Sequence, residues 1–140
     1  MRRIDFCTTE LYTCAMETLL ETAIAAARSA GSFIMTQYGA ARVTTKSDNS
    51  PVTQADLGAH EHIVRILAST GIPILSEEDV LTSEIFPTSH ELWVVDPLDG
   101  TKDFIQKTGD FSVMIGLVRD GVPVLSVVYA PALDTLYYAE

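Results

Sequence analysis

Positive charge is scarce in this chain. Lys and Arg number 9 against 19 Asp and Glu, a formal net charge of −10 at pH 7. So acidic a surface repels phosphate backbones and anionic headgroups, which excludes nucleic-acid polymers as partners. A small phosphate compound stays admissible where cations are recruited locally. Cysteine is nearly absent, with Cys7 and Cys14 the only two. They cannot build a disulfide framework, and no metal ligands cluster with them, so they read as free thiols of a reducing compartment. No apolar run approaches the roughly 18 residues of a membrane span. Arg2 and Arg3 imitate a signal peptide's start, but Asp5, Thr8, Thr9 and Glu10 interrupt its apolar stretch. The expectation is a cytoplasmic protein with no integral membrane segment, with the periphery of the inner membrane as the secondary location. Repeats and low-complexity tracts are also missing.

What is present is a globular composition. Of 140 residues, 47% are apolar and 20% charged, which excludes a disordered chain and suits one domain or part of one. Residues 1–15 carry no helical or strand period and read as an N-terminal extension, with Met16 as the natural start. Residues 16–140 then form the domain portion. From Glu17 to Tyr38, Leu20, Ala23, Ile24, Ala27, Ile34 and Tyr38 share one helical stripe. Ala25, Ala26 and Ala27 leave room for a neighbour, and Gly39 stands at the C-cap. A short strand and a turn at Asp48-Asn49-Ser50-Pro51 follow. Thr53-Gln54-Ala55-Asp56 has the form of a capping box. It opens a second helix with Leu57, Ile63, Val64 and Leu67 on its apolar face. His60 and His62 are two apart, so they form no metal pair and read as solvated.

Beyond Ile72 the period turns strand-like. Strands are expected at Pro73–Ser76, Leu92–Val95, Phe111–Val118 and Val124–Tyr129, with a loop at Val80–His90 and a hairpin at Asp120-Gly121. A last strand begins at Leu136–Tyr138. The fold class is α+β, with helices layered on a sheet dominated by antiparallel hairpins. The last strand stops at Glu140 with no closing helix, so the expectation is an incomplete domain, able to self-associate through its open sheet edge.

Two acidic clusters stand at strand ends: Glu77-Glu78-Asp79, and Asp96 with Asp99 in Asp96-Pro97-Leu98-Asp99-Gly100-Thr101. Carboxylates leaving neighbouring strands would converge. Two such charges about 4 Å apart repel by roughly 4 kcal/mol at an effective dielectric near 20, so a proton or a cation is needed between them. Oxygen donors without His or Cys select Mg²⁺, Mn²⁺ or Ca²⁺ over zinc. The Leu98 carbonyl is a further oxygen ligand. Gly100 permits close backbone approach, and Thr101 opens a short helix through Phe104-Ile105 whose N–H groups favour phosphate. Metal carboxylates beside such a helix start suit phosphoryl hydrolysis.

These segments, together with Ser50-Pro51-Val52-Thr53-x-Ala55-Asp56, Ser76-Glu77-Glu78-Asp79 and Trp93-Val94-Val95-Asp96-Pro97-Leu98-Asp99-Gly100-Thr101, resemble the inositol monophosphatase superfamily from about Met16 to the end. Asp48–Thr53, Gly100–Ile105 and Val127-Val128-Tyr129-Ala130-Pro131 look most like its bacterial 3'(2'),5'-bisphosphate nucleotidases. The resemblance implies a layered sugar-phosphatase fold and a Mg²⁺-dependent hydrolase, with Mn²⁺ as the alternative ion and two or three ions bound. It implies removal of the 3'-phosphate of adenosine 3',5'-bisphosphate in sulfur assimilation, giving AMP. Inositol phosphate and histidinol phosphate are the alternative substrates, and an inactive metal-binding fragment is the non-enzymatic alternative.

Position by position, the resemblance implies that Glu77, Asp96, the Leu98 carbonyl and Asp99 hold metal. It implies that Thr101, hydrogen-bonded to Asp56, orients the attacking water, with Glu77 also in the catalytic set. Glu77, Asp96, Leu98, Asp99, Gly100 and Thr101 would line the substrate's phosphate, with Lys46 and Glu78 in support. Family members are roughly twice this length. Their later half carries a Trp-Asp motif that completes the second metal site, whereas Trp93 here is followed by Val94. The 140-residue chain alone is therefore expected to be inactive.

Overall fold

The computed structural model describes residues 2–4, 10–39, 43–45, 51–78 and 89–140, with side chains from 16–39, 53–78 and 89–140. The strands are β1 (Arg2–Ile4), β2 (Val43–Thr45), β3 (Pro51–Thr53), β4 (Ile74–Ser76), β5 (Glu91–Asp99), β6 (Ser112–Arg119), β7 (Val122–Ala130) and β8 (Thr135–Ala139). The helices are α1 (Glu10–Gln37), α2 (Gln54–Leu67) and α3 (Thr101–Gln106). Cys7, Lys46, the turn residues 48–50 and the loop residues 79–88 lie outside the described residues, as does the side chain of Cys14.

One sheet runs β1-β8-β7-β6-β5-β4, and β2 pairs with β3 separately. The expected hairpins are there: β5, β6, β7 and β8 pair antiparallel in succession. The sheet is nonetheless mixed, because β4 runs parallel to β5 and β1 parallel to β8. The last strand is therefore not a bare edge. Tyr137, Tyr138 and Ala139 stand opposite Arg2, Arg3 and Ile4, so the open edge expected on β8 is occupied.

Both long helices pack on one face of the sheet, α1 over β6 and β7 and α2 over β5. Alternation in the strands explains the layering. Trp93, Val95, Val113, Ile115, Leu117, Leu125 and Val127 point into the core, while Val94, Met114 and Tyr137 stay exposed on the far side. The alanine stripe of α1 lets α2 approach closely, with Ala23, Ala26, Ala27 and Ala30 fully buried. Gly58 of α2 completes this contact, since a Cβ there would lie 2.0 Å from the Phe33 ring.

Three expectations are corrected. Helix α1 begins at Glu10 rather than Glu17. Leu57 is 49% exposed, because the buried row of α2 is Ala55, Ala59, Ile63 and Leu67 at four-residue spacing, together with Asp56. The two histidines are half-buried and partnered rather than fully solvated. His62 stacks on Phe33 with centroids 5.1 Å apart and pairs with Ser29 at 2.9 Å. The Nδ1 of His60 lies 2.9 Å from Ser76 Oγ.

Candidate active site

The site forms where β4 ends beside β5, which runs on through Asp96 to Asp99 rather than stopping at Val95 as expected. Their parallel register sets Ser76 opposite Val95, and the Glu77 N–H extends the ladder to the Val95 carbonyl at 3.1 Å. Glu77, the first residue after β4, is thus set beside Asp96, which is still within β5 and paired with Met114 of β6. A register shift between Asp96 and Asp99 carries β5 onward. Pro97 and Leu98 are buried there while Asp99 is exposed.

Asp96 registers this crowding. Burial first, and then the neighbouring carboxylates of Glu77 and Asp99, push its pKa from 3.8 up to about 7. A hydrogen bond with the Glu77 side chain acts in the same direction, while the Leu98 N–H, donating to Asp96 Oδ1 at 3.2 Å, opposes it. Among the described residues no three His, Cys, Asp or Glu side chains already close around a common point. The donor chemistry nevertheless fits a hard divalent cation. All the available groups are oxygens, and a cation would relieve the same repulsion that pushes the Asp96 pKa up.

A second group of contacts lies beside the first. Thr53 is the N-cap of α2, and its hydroxyl accepts from the Ala55 N–H at 3.1 Å. Asp56 completes the capping box. Its Oδ2 accepts from the Thr53 N–H at 2.7 Å and from the Thr53 hydroxyl at 2.5 Å. The other oxygen, Oδ1, accepts from the Thr101 hydroxyl at 2.9 Å. Asp56 is only 2% exposed, and its carboxylate is held from both ends. The Thr101 hydroxyl also lies 3.1 Å from the Leu98 carbonyl, so one hydrogen faces two acceptors.

Gly100 is the N-cap of α3, which begins at Thr101 as its sequence implies, and its carbonyl accepts from the Phe104 N–H at 2.9 Å. Its φ is +85°, and a Cβ would stand 2.7 Å from the Asp110 carbonyl oxygen, so only glycine fits without displacement. Glu78 lies beside Glu77, with its N–H donating to Ser76 Oγ at 3.3 Å. The fold thus brings Glu77 and Asp99 each within electrostatic reach of Asp96, and the Thr101 hydroxyl within hydrogen-bond distance of both Asp56 and the Leu98 carbonyl. Thr53, Ser76 and His60 were not among the expected site residues. The signal for His60 was its position four residues after Asp56, on the same helical face.

Comparison with known proteins follows the same segments. The family model "Inositol monophosphatase family" matches residues 15–140. The chain is 47% identical to the 3'(2'),5'-bisphosphate nucleotidase CysQ of Salmonella typhimurium, over 86% of this chain and 51% of that protein. The crystal structure of CysQ from Bacteroides thetaiotaomicron superposes with a TM-score of 0.79 at 44% identity, covering 93% of this chain and 47% of that one. An inositol monophosphatase from Anabaena gives 0.72 at 30% identity, covering 89% and 44%. The chain spans about half the length of the relatives it matches.

Proposed function

Because the chain belongs to the inositol monophosphatase family, we propose that it carries the metal-binding and water-orienting part of a Mg²⁺-dependent phosphomonoesterase. The observation that carries this reading is the position of Glu77, just after β4, beside Asp96 of the parallel β5, with Asp99 close enough to raise the Asp96 pKa. Glu77, Asp96, the Leu98 carbonyl and Asp99 would hold the ion, with Mn²⁺ as a substitute. When bound, the ion polarises the phosphate and lowers the pKa of water.

The rest falls to the chain's own groups. The Thr101 hydroxyl gives its hydrogen to Asp56. Its lone pairs are left to accept a hydrogen from the attacking water and turn that water's oxygen toward phosphorus. The N–H groups of Gly100 and Thr101, at the start of α3, would hold phosphate oxygens. Glu78 supports the Glu77 turn from the adjacent position. Lys46 is kept as a supporting group.

For the substrate we propose adenosine 3',5'-bisphosphate, cleaved at its 3'-phosphate to AMP in the cytoplasm. Similarity supports this choice, since identity to the nucleotidases stands at 44–47% against 30% for the Anabaena inositol monophosphatase. The acidic surface is consistent with a small phosphate ligand met through cations. Nothing in the comparisons supports a peripheral membrane placement, and no described helix is long and apolar enough to cross a membrane. Phosphate release from adenosine 3',5'-bisphosphate and from inositol 1-phosphate, measured on a protein that joins this chain to the remaining half its relatives possess, with chelator and with Mg²⁺ restored, tests the reading. Equal turnover in excess chelator would sink the metal role, and preference for the inositol compound would change the substrate.

A further inference from the structure

We infer that Thr53 is a positioning residue for the Thr101 hydroxyl, acting through Asp56. This rests on the water-orienting role of Thr101 given above. A capping box asks one bond of its acidic member, from the N-cap N–H. Here Asp56 accepts a second, because the Thr53 hydroxyl donates to the same oxygen, Oδ2, at 2.5 Å. That hydroxyl is itself fixed by accepting the Ala55 N–H at 3.1 Å. Thr53 is 1% exposed and Asp56 2%, so bulk water replaces neither bond.

The consequence lies at the opposite oxygen. A carboxylate oxygen has about two acceptor positions, and Thr53 fills both on Oδ2. The plane of the carboxylate is thereby set, and Oδ1 faces the Thr101 hydroxyl, which donates to it at 2.9 Å. The Thr101 hydrogen has a competing acceptor in the Leu98 carbonyl at 3.1 Å. Whichever acceptor receives the hydrogen decides where the lone pairs of Thr101 point, and turning a water needs them in one direction. Without the Thr53 hydroxyl, the carboxylate turns about its soft terminal torsion. The bond from Thr101 then weakens, and its hydrogen is shared with Leu98. The second bond from Thr53 is thus more than α2 needs as a helix start, and its effect falls on Thr101.

The test compares three substitutions. Thr53→Val keeps the shape and loses the hydroxyl. Thr53→Gly also loses it but caps a helix about as well as Thr. Thr53→Ser keeps it. In a protein completed with the half its relatives possess, Thr53→Val and Thr53→Gly should each lower kcat about tenfold. KM and Mg²⁺ affinity should stay nearly unchanged, and Thr53→Ser should keep most of the rate. In a Thr101→Ala background the same substitutions should cause no further loss of kcat, because they act through the missing hydroxyl. Urea unfolding of the 140-residue chain gives a readout without activity. The Thr53→Val/Thr101→Ala chain should be destabilised by less than the two single losses combined, since the first substitution has already weakened the bond that the second removes. Should Thr53→Val fail to fold, Thr53→Gly carries the same comparison. Parental kcat in Thr53→Gly would show that only the cap matters and would overturn the proposal. An equal fold-loss with and without the Thr101 hydroxyl, or additive urea stabilities, would overturn it too. A completed Thr101→Ala protein of parental kcat would instead overturn the water-orienting reading. In that case the urea cycle would still decide whether Thr53 acts on Thr101.

Discussion

The Thr101 hydroxyl donates to Asp56 Oδ1 at 2.9 Å across 45 residues of sequence. The bond joins the start of α3 to the first turn of α2, and the opposite oxygen of Asp56 is already held by two bonds from Thr53. In a protein completed with the half its relatives possess, Thr101→Ala should therefore lower kcat by about 10²-fold while leaving Mg²⁺ affinity nearly intact, since no carboxylate is lost. Thr101→Ser keeps the hydroxyl and should retain most of the rate. Single-turnover rates beside Mg²⁺ titrations check this, and a large loss of Mg²⁺ affinity in Thr101→Ala would contradict the assigned role.

Asp96→Asn separates function from stability. It should reduce the completed protein's turnover by about 10³-fold, yet stabilise the metal-free 140-residue chain above neutral pH. Folding raises the Asp96 pKa from 3.8 to about 7. Between those values the folded chain binds a proton that the unfolded chain has released, so this group's contribution to stability falls as pH rises through that window. Asn carries no such penalty. Thermal midpoints without divalent metal should show the parent falling behind Asp96→Asn from about pH 4 to 7. Mg²⁺ binding should displace the proton, so parent affinity should rise over the same range. A midpoint difference that does not change with pH would refute the assignment.

Much of this site was legible because its signals are local. A Thr followed three residues later by an Asp specifies the capping box, and the Gly100-Thr101 step marks the start of α3, each within one turn of chain. The nearness of Glu77 and Asp96 was legible because each follows an apolar run, although β5 continues past that run to Asp99. The face of α2 was harder to read. Ala55 and Ala59 carry little hydrophobic signal, so Leu57 outweighed them although it lies off the row they share with Ile63 and Leu67. The pairing of Arg2–Ile4 with Tyr137–Ala139 left no local trace, because a three-residue strand is specified by its distant partner. The bond of His60 to Ser76 likewise depends on how α2 lies against the sheet.

Gly100→Ala should damage the turn more than a surface substitution would. The residue sits at φ +85°, and its new Cβ would lie 2.7 Å from the Asp110 carbonyl. Backbone, rather than a flexible side chain, must yield there. Left-handed strain together with the clash predicts a loss of about 1–3 kcal/mol. The displacement falls at the N–H groups assigned to phosphate, so turnover should drop further than stability alone explains. Urea midpoints of the 140-residue chain and kcat/KM of the completed protein together test this, and a variant of parental stability would show that the turn accommodates the methyl group.

The last prediction concerns the β8 edge. Strand β1 lies along Tyr137, Tyr138 and Ala139, and α1 starts only at Glu10. Deleting residues 1–9 therefore removes β1 while leaving α1 whole. The N–H and C=O groups on that side of β8 would then face solvent beside Tyr137, which is already 50% exposed. Bare strand edges pair with other chains. The shortened protein should self-associate at concentrations where the 140-residue chain remains monomeric, and a strand-forming peptide with the sequence of residues 1–9 should reverse this. Light scattering across a concentration series measures it. If both proteins stay monomeric, β1 is not what shields the edge. If both associate equally, contact is made elsewhere on the surface.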